Sequence, residues 1–173
     1  MYRRLSLIFI VLLSIFLIFI FFQALKKDFN YSTDKLIGKK IGSFKIQSLN
    51  KDFYLTENQL NKNKYTLINF WASWCIPCRK EHNFLIKLNQ KKGIDMIGIN
   101  FKDKTSNAKS FIAELGNPYD FLMVDENGKQ SINFGVYGIP ESILINKELK
   151  IIKKYIGPLS KANFLEISEI IKE

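Results

Sequence analysis

The sequence predicts an α/β sandwich built on a mixed central sheet, preceded by one transmembrane helix. Three observations carry this expectation. The apolar runs YTLINFWA (65–72) and IDMIGINF (94–101) are too short for helices, are rich in strand formers, and alternate with helical patterns. ESILIN and IIKKYI are spaced for a hairpin across NKELK and lead into an amphipathic segment. At the front, Leu5 to Phe22 is an 18-residue run without a charge; as a helix it spans about 27 Å, close to the hydrocarbon thickness of a bilayer.

The elements follow in chain order. Residues 1–25 read as a membrane anchor with its span at 5–22. The run ends FFQALKK, with bulky Phe22 two residues before Ala24, which fits an uncleaved anchor better than a signal peptide with small residues at its cleavage site. Arg3 and Arg4 before the span are matched by Lys26 and Lys27 after it, so flanking charge does not orient it. Residues 26–40 are polar and aperiodic and read as a linker, leaving 41–173 as one domain. SFKIQSL and DFYLT form a short N-terminal β extension across the LNKD turn. The 65–72 strand leads into a helix with Phe84, Leu85 and Leu88 at helical spacing, stopped by Gly93. After the 94–101 strand, KTSNAKSFIAEL is a helix ended at Gly116. YDFLMVD is a strand, QSINF opens helically, and the hairpin follows. Ser160 caps the last helix.

Net charge is +10, but 23 of the 26 basic residues are lysines, scattered along the chain. Phosphate recognition favours the forked guanidinium, and no basic run reaches the length of a binding patch. Nucleic acid is therefore not an expected partner.

The chemistry concentrates in WASWCIPCRKEH (71–82), which holds both cysteines and the one histidine. A structural zinc site needs four ligands, more than this chain's cysteines and histidine supply. Haem attachment needs histidine directly after the second cysteine, where Arg79 stands. Copper carriage is disfavoured by the stiff flanks, Trp74 and Pro77, without being excluded. No metal and no cofactor other than the cysteine pair is expected. A redox pair fits every neighbour. A strand-CxxC-helix arrangement places Cys75 at a helix N-terminus, where backbone N–H groups and the dipole favour a thiolate. Pro77 falls in the first turn, and residues three apart lie within disulfide reach. Such an arrangement reads as a thioredoxin-type site. Cys75 is then the exposed nucleophile and Cys78 the inner, resolving thiol. Glu81, one turn beyond Cys78, is the expected proton acceptor, since Asn69 is uncharged. His82, about 100° further round the helix, is expected at an exposed polar position.

GVYGIPES (135–142) is the second informative stretch. Pro140 belongs at a strand start because it cannot donate to a ladder. In cis it would leave residue 139 free to pair with an extended partner segment. Trp74, Ile76 and Pro77, with Tyr137, Ile139, Pro140 and Glu141, form the expected substrate-binding surface.

NFWASWCIPCRKEH and GVYGIPE together resemble the membrane-anchored thioredoxin-like proteins of bacterial cytochrome c maturation, the DsbE/CcmG group, over nearly the whole chain. The resemblance implies a thioredoxin-like sandwich and a single-pass inner-membrane protein with its domain in the periplasm. It implies a reductase that keeps the haem-site cysteines of apocytochrome c, or of a maturation thiol protein, reduced. Its electrons would come from a membrane thiol reductase of the DsbD/CcdA type. It makes Cys75 and Cys78 the redox pair and Pro140 a cis-proline, and matches Glu81 and Glu141 to acidic residues near the site. Asn69 stands where ordinary thioredoxins carry a buried Asp. Gly42 replaces a proline common in the entry segment. General envelope reductases of the ResA/TlpA type share most of these residues. A copper or haem assembly chaperone is the non-enzymatic alternative. A thiol peroxidase lacks support because no Pro/Thr-containing peroxidatic loop precedes Cys75.

Overall fold

The computed structural model describes residues 2–25, 36–60 and 63–172. It falls into two units, divided after Ser32.

The first unit is helix α1, Tyr2–Leu25. Among the described residues it is the one helix long and apolar enough to cross a membrane. Its serines present no free donor: Ser6 Oγ donates to Arg3 O (3.0 Å) and Ser14 Oγ to Ile10 O (2.9 Å), as a helix in lipid requires. The expected span, 5–22, lies inside it.

The second unit contains β1 (Lys45–Ser48), β2 (Tyr54–Thr56), β3 (Tyr65–Trp71), α2 (Ile76–Asn89), β4 (Ile94–Phe101), α3 (Thr105–Leu115), β5 (Phe121–Asp125), α4 (Lys129–Asn133), β6 (Glu141–Asn146), β7 (Ile151–Ile156) and α5 (Lys161–Ile170). The sheet order is β2-β1-β5-β4-β3-β6-β7. The centre, β3-β4-β5, is parallel, and the other pairings are antiparallel.

Strand alternation splits the core in two. Leu67 and Trp71 of β3 join Leu85 and Leu88 of α2, Phe111 of α3 and Ile167 of α5 on one face. Ile68 and Phe70 join Ile97, Ile99, Phe134 and Ile143 on the other. The crossovers β3-α2-β4 and β4-α3-β5 step in the same direction across the sheet. Their shared right-handedness puts α2 and α3 on one face. Burying each of these large apolar side chains contributes about 1.5–3 kcal/mol, which is why β3 and β4 read as continuous apolar runs.

The expected linker, 26–40, is described only in its last five residues. Residues 26–35 lie outside the described residues, but Leu36–Lys40 pack on the hairpin. Gly38 N–H donates to Ile151 O (2.8 Å) and Ile151 N–H to Lys39 O (2.9 Å). These backbone bonds leave no mark in side-chain periodicity.

Candidate active site

The buried strand β3 fixes where the cysteines emerge. Cys75 is the N-cap of α2, with extended backbone, and its Sγ accepts the Cys78 N–H at 3.2 Å. Sulfur therefore sits at the helix end where unpaired N–H groups and the dipole favour negative charge. Cys75 and Cys78 are joined by a disulfide across a Cα separation of 5.3 Å. Pro77 occupies the first turn, where its missing N–H removes no helical bond.

The expected contrast in exposure between the cysteines is small. Cys75 is 4% exposed and Cys78 2%. Bonded to Cys78, Cys75 packs with Ala72 in the core cluster, and the surface passes to its neighbours. Trp74 is 57% exposed and Ile76 72%, and Pro77 is exposed as well. These exposed groups form the rim beside the cysteines.

That rim is anchored by hydrogen bonds. Ser73 donates through its N–H (2.6 Å) and hydroxyl (2.9 Å) to the Asp103 carboxylate, which also accepts from Asn100 Nδ2. Trp74 Nε1 donates to Lys102 O. Asp103 carried no sequence signal beyond following β4.

One turn beyond Cys78 on α2 lies Glu81, 1% exposed. Asn69 Nδ2 donates to its Oε1 (2.9 Å) and Leu159 N–H to its Oε2 (2.6 Å). Burial outweighs these two bonds and raises its pKa to about 7. α2 thus carries a buried carboxyl, able to exchange a proton near neutrality, one turn beyond Cys78.

The GVYGIPES loop brings a cis Ile139–Pro140 bond, as the resemblance implied. Tyr137 is 73% exposed, Ile139 is half-buried and Pro140 is buried. Glu141 does not belong to the substrate surface. It is 3% exposed. Its Oε1 accepts from Tyr137 N–H (3.2 Å) and Gly138 N–H (3.1 Å), and its Oε2 lies 2.8 Å from Lys154 Nζ. Lys154 also donates to Gly135 O. This buried ion pair braces the loop at both ends. A signal for Lys154 existed: in a strand, adjacent Lys153 and Lys154 face opposite ways, so one must point inward.

His82 overturns its expectation of exposure. It is 3% exposed, Nε2 lies 3.0 Å from Gly116 O, and the ring meets Phe111 edge-on at 5.4 Å. The end of α3 covers that side of α2. Burial holds the His82 pKa below its usual value. Among the described residues, no group of three or more His, Cys, Asp or Glu side chains is placed to hold a metal ion.

Comparison with known proteins agrees with this geometry. The Redoxin family model matches residues 36–170. The chain is 37% identical over 141 residues to the thiol:disulfide interchange protein HelX of Rhodobacter capsulatus, covering 82% of this chain and 80% of HelX. It is 39% identical over 126 residues to the thiol:disulfide interchange protein DsbE of Escherichia coli K12, covering 72% and 68%. A crystal structure of a DsbE-type protein from Chlorobium tepidum superposes with a TM-score of 0.69 at 25% identity, covering 79% of this chain and 95% of the other.

Proposed function

Because this chain belongs to the redoxin family, among the thiol:disulfide interchange proteins of the DsbE/CcmG/HelX/CycY group, we propose that it is a periplasmic reductase. It keeps the haem-site cysteines of apocytochrome c, or of a maturation thiol protein, reduced. The observation that carries the reading is a helix-capping disulfide beside exposed apolar groups, with a buried carboxyl one turn further along the same helix.

The chemistry runs from the dithiol form. The Cys75 thiolate attacks one sulfur of the partner disulfide, and the other partner sulfur leaves as a thiolate. Cys78 passes its proton to Glu81 and attacks Cys75 Sγ. The partner's second thiolate departs, leaving the partner with two electrons and this protein with the Cys75–Cys78 disulfide. A membrane thiol reductase of the DsbD/CcdA type returns the electrons. Trp74, Ile76, Pro77, Tyr137 and Ile139 receive the partner segment, and α1 holds the domain at the inner membrane. A reductase is useful on the periplasmic side because stray disulfides form there.

Trapping tests this. The full-length Cys78→Ser protein cannot resolve its mixed disulfide, and mass spectrometry of captured species should recover apocytochrome c or a maturation thiol protein. Broad capture of envelope proteins would favour a general reductase instead, and no capture through Cys75 would remove the mechanism.

A further inference from the structure

We infer that Tyr119 is a positioning residue for proton transfer: its hydroxyl orients the Asn69 amide so that the amide's N–H, rather than its oxygen, faces Glu81. The inference rests on the reading of Glu81 as the acceptor of the Cys78 proton.

The geometry begins in the sheet register. Asn69 stands between Gly98 on β4 and Ser142 on β6. The bare Gly98 position admits the Tyr119 ring, since a Cβ there would lie 2.5–2.6 Å from three ring carbons. Trp71 stacks on that ring, centroids 6.0 Å apart and planes 19° from parallel. Held so, Tyr119 Oη donates to Asn69 Oδ1 at 2.7 Å. The amide oxygen is thereby occupied, and its nitrogen donates to both Ser142 Oγ (2.9 Å) and Glu81 Oε1 (2.9 Å). Asn69 and Ser142 are 0% exposed, and Glu81 and Tyr119 nearly so, so water does not replace these bonds.

The chemical consequence follows from donor and acceptor counts. An ionised carboxylate only accepts, whereas a protonated one also donates. With the amide N–H facing it, the anion is favoured and the pull of burial toward the neutral acid is opposed. Without the tyrosine hydroxyl, the buried amide oxygen needs another donor. Turned over, the amide presents that oxygen to Glu81, which donates to it by staying protonated, and a protonated Glu81 cannot take the Cys78 proton.

Other titratable groups point elsewhere. The Tyr119 hydroxyl is held by Asn69, and burial with the Glu81 charge keeps its pKa far above the ordinary value. His82, next on α2, is turned to Gly116 O. Tyr155 on β7 donates to Glu166. The Glu141–Lys154 pair lies on the opposite sheet face, since Glu141 and Ser142 alternate along β6. Leu159 contributes only its backbone N–H.

The test uses the oxidised full-length protein in detergent, where the cysteines do not titrate. Carbon-13 NMR of the Glu81 carboxyl, assigned with Glu81→Gln, should give a midpoint near 7 in the parent. Tyr119→Phe should raise it by roughly half a unit to one unit, the size of a lost hydrogen-bonding influence on a charged group. Gly98→Ala, which displaces the ring, should move it the same way. An unchanged midpoint in both variants overturns the inference. The acceptor reading is tested separately on the reduced protein with dithiodipyridine, whose second thiopyridone release reports attack by Cys78. If Glu81→Gln leaves the pH profile of that release intact, the acceptor reading fails even where Tyr119→Phe has shifted the carboxyl.

Discussion

Lys154 Nζ lies 2.8 Å from Glu141 Oε2, with side-chain exposures of 0% and 4%. Removing one member of such a pair strands the other charge. Lys154→Met should therefore destabilise the domain by about 3–5 kcal/mol in equilibrium urea unfolding. The double variant Lys154→Met, Glu141→Leu should be more stable than the single one. No unpaired charge is then left in the buried position.

Glu81 sets a stability slope. Its unfolded carboxyl titrates near 4.5 and its folded one near 7. Between those values the folded state keeps a proton that the unfolded state has lost, so stability falls as pH rises through that window. The full loss is about 3 kcal/mol. Urea midpoints of the oxidised protein measured from pH 4.5 to 8 should show the decline, and Glu81→Gln should flatten it.

Asn69→Asp would set a second carboxyl against Glu81. Two coupled carboxyls cannot both ionise easily in a dry site, so the pair should lose its protons in two steps. The upper step should lie above the single Glu81 midpoint of about 7. The second thiopyridone release should move to higher pH accordingly, and a profile that stays in place would deny the coupling.

His82 acts oppositely with pH. Its folded pKa is lowered from 6.5 by burial, so below that value the unfolded chain takes up a proton that the folded one refuses. Its contribution is lost as pH falls below 6.5. His82→Ala should cost about 2–4 kcal/mol at neutral pH, from the lost contact with Phe111 and the lost bond to Gly116. The unfolding free energy at pH 7.5 measures it.

The parts of the site that local chemistry dictates were legible. β3 and β4 could be read because strands covered on both faces carry apolar residues at every step. The helix start at Cys75 followed from the strand before it and Pro77 after it, and Ser160 caps α5 as its position implied. What escaped depended on neighbours distant in sequence. Nothing near His82 in the sequence announces that α3 ends over it. Its spacing held a clue: Cys78, His82, Leu85 and Leu88 form one buried stripe, with Glu81 beside it. The burial of Glu141 has no local signal because Lys154 reaches it from the next strand. The Tyr119–Asn69 bond joins residues fifty apart and depends on a missing side chain at Gly98, which no periodicity encodes.

The bond from Leu159 N–H to Glu81 draws main chain from just ahead of α5 into the redox centre. Helix α5 begins at Lys161, so its entry is harnessed to the carboxyl one turn beyond Cys78. A substitution that shifts the entry to α5 would therefore be felt at the Glu81 carboxyl as well as in the packing of the helix.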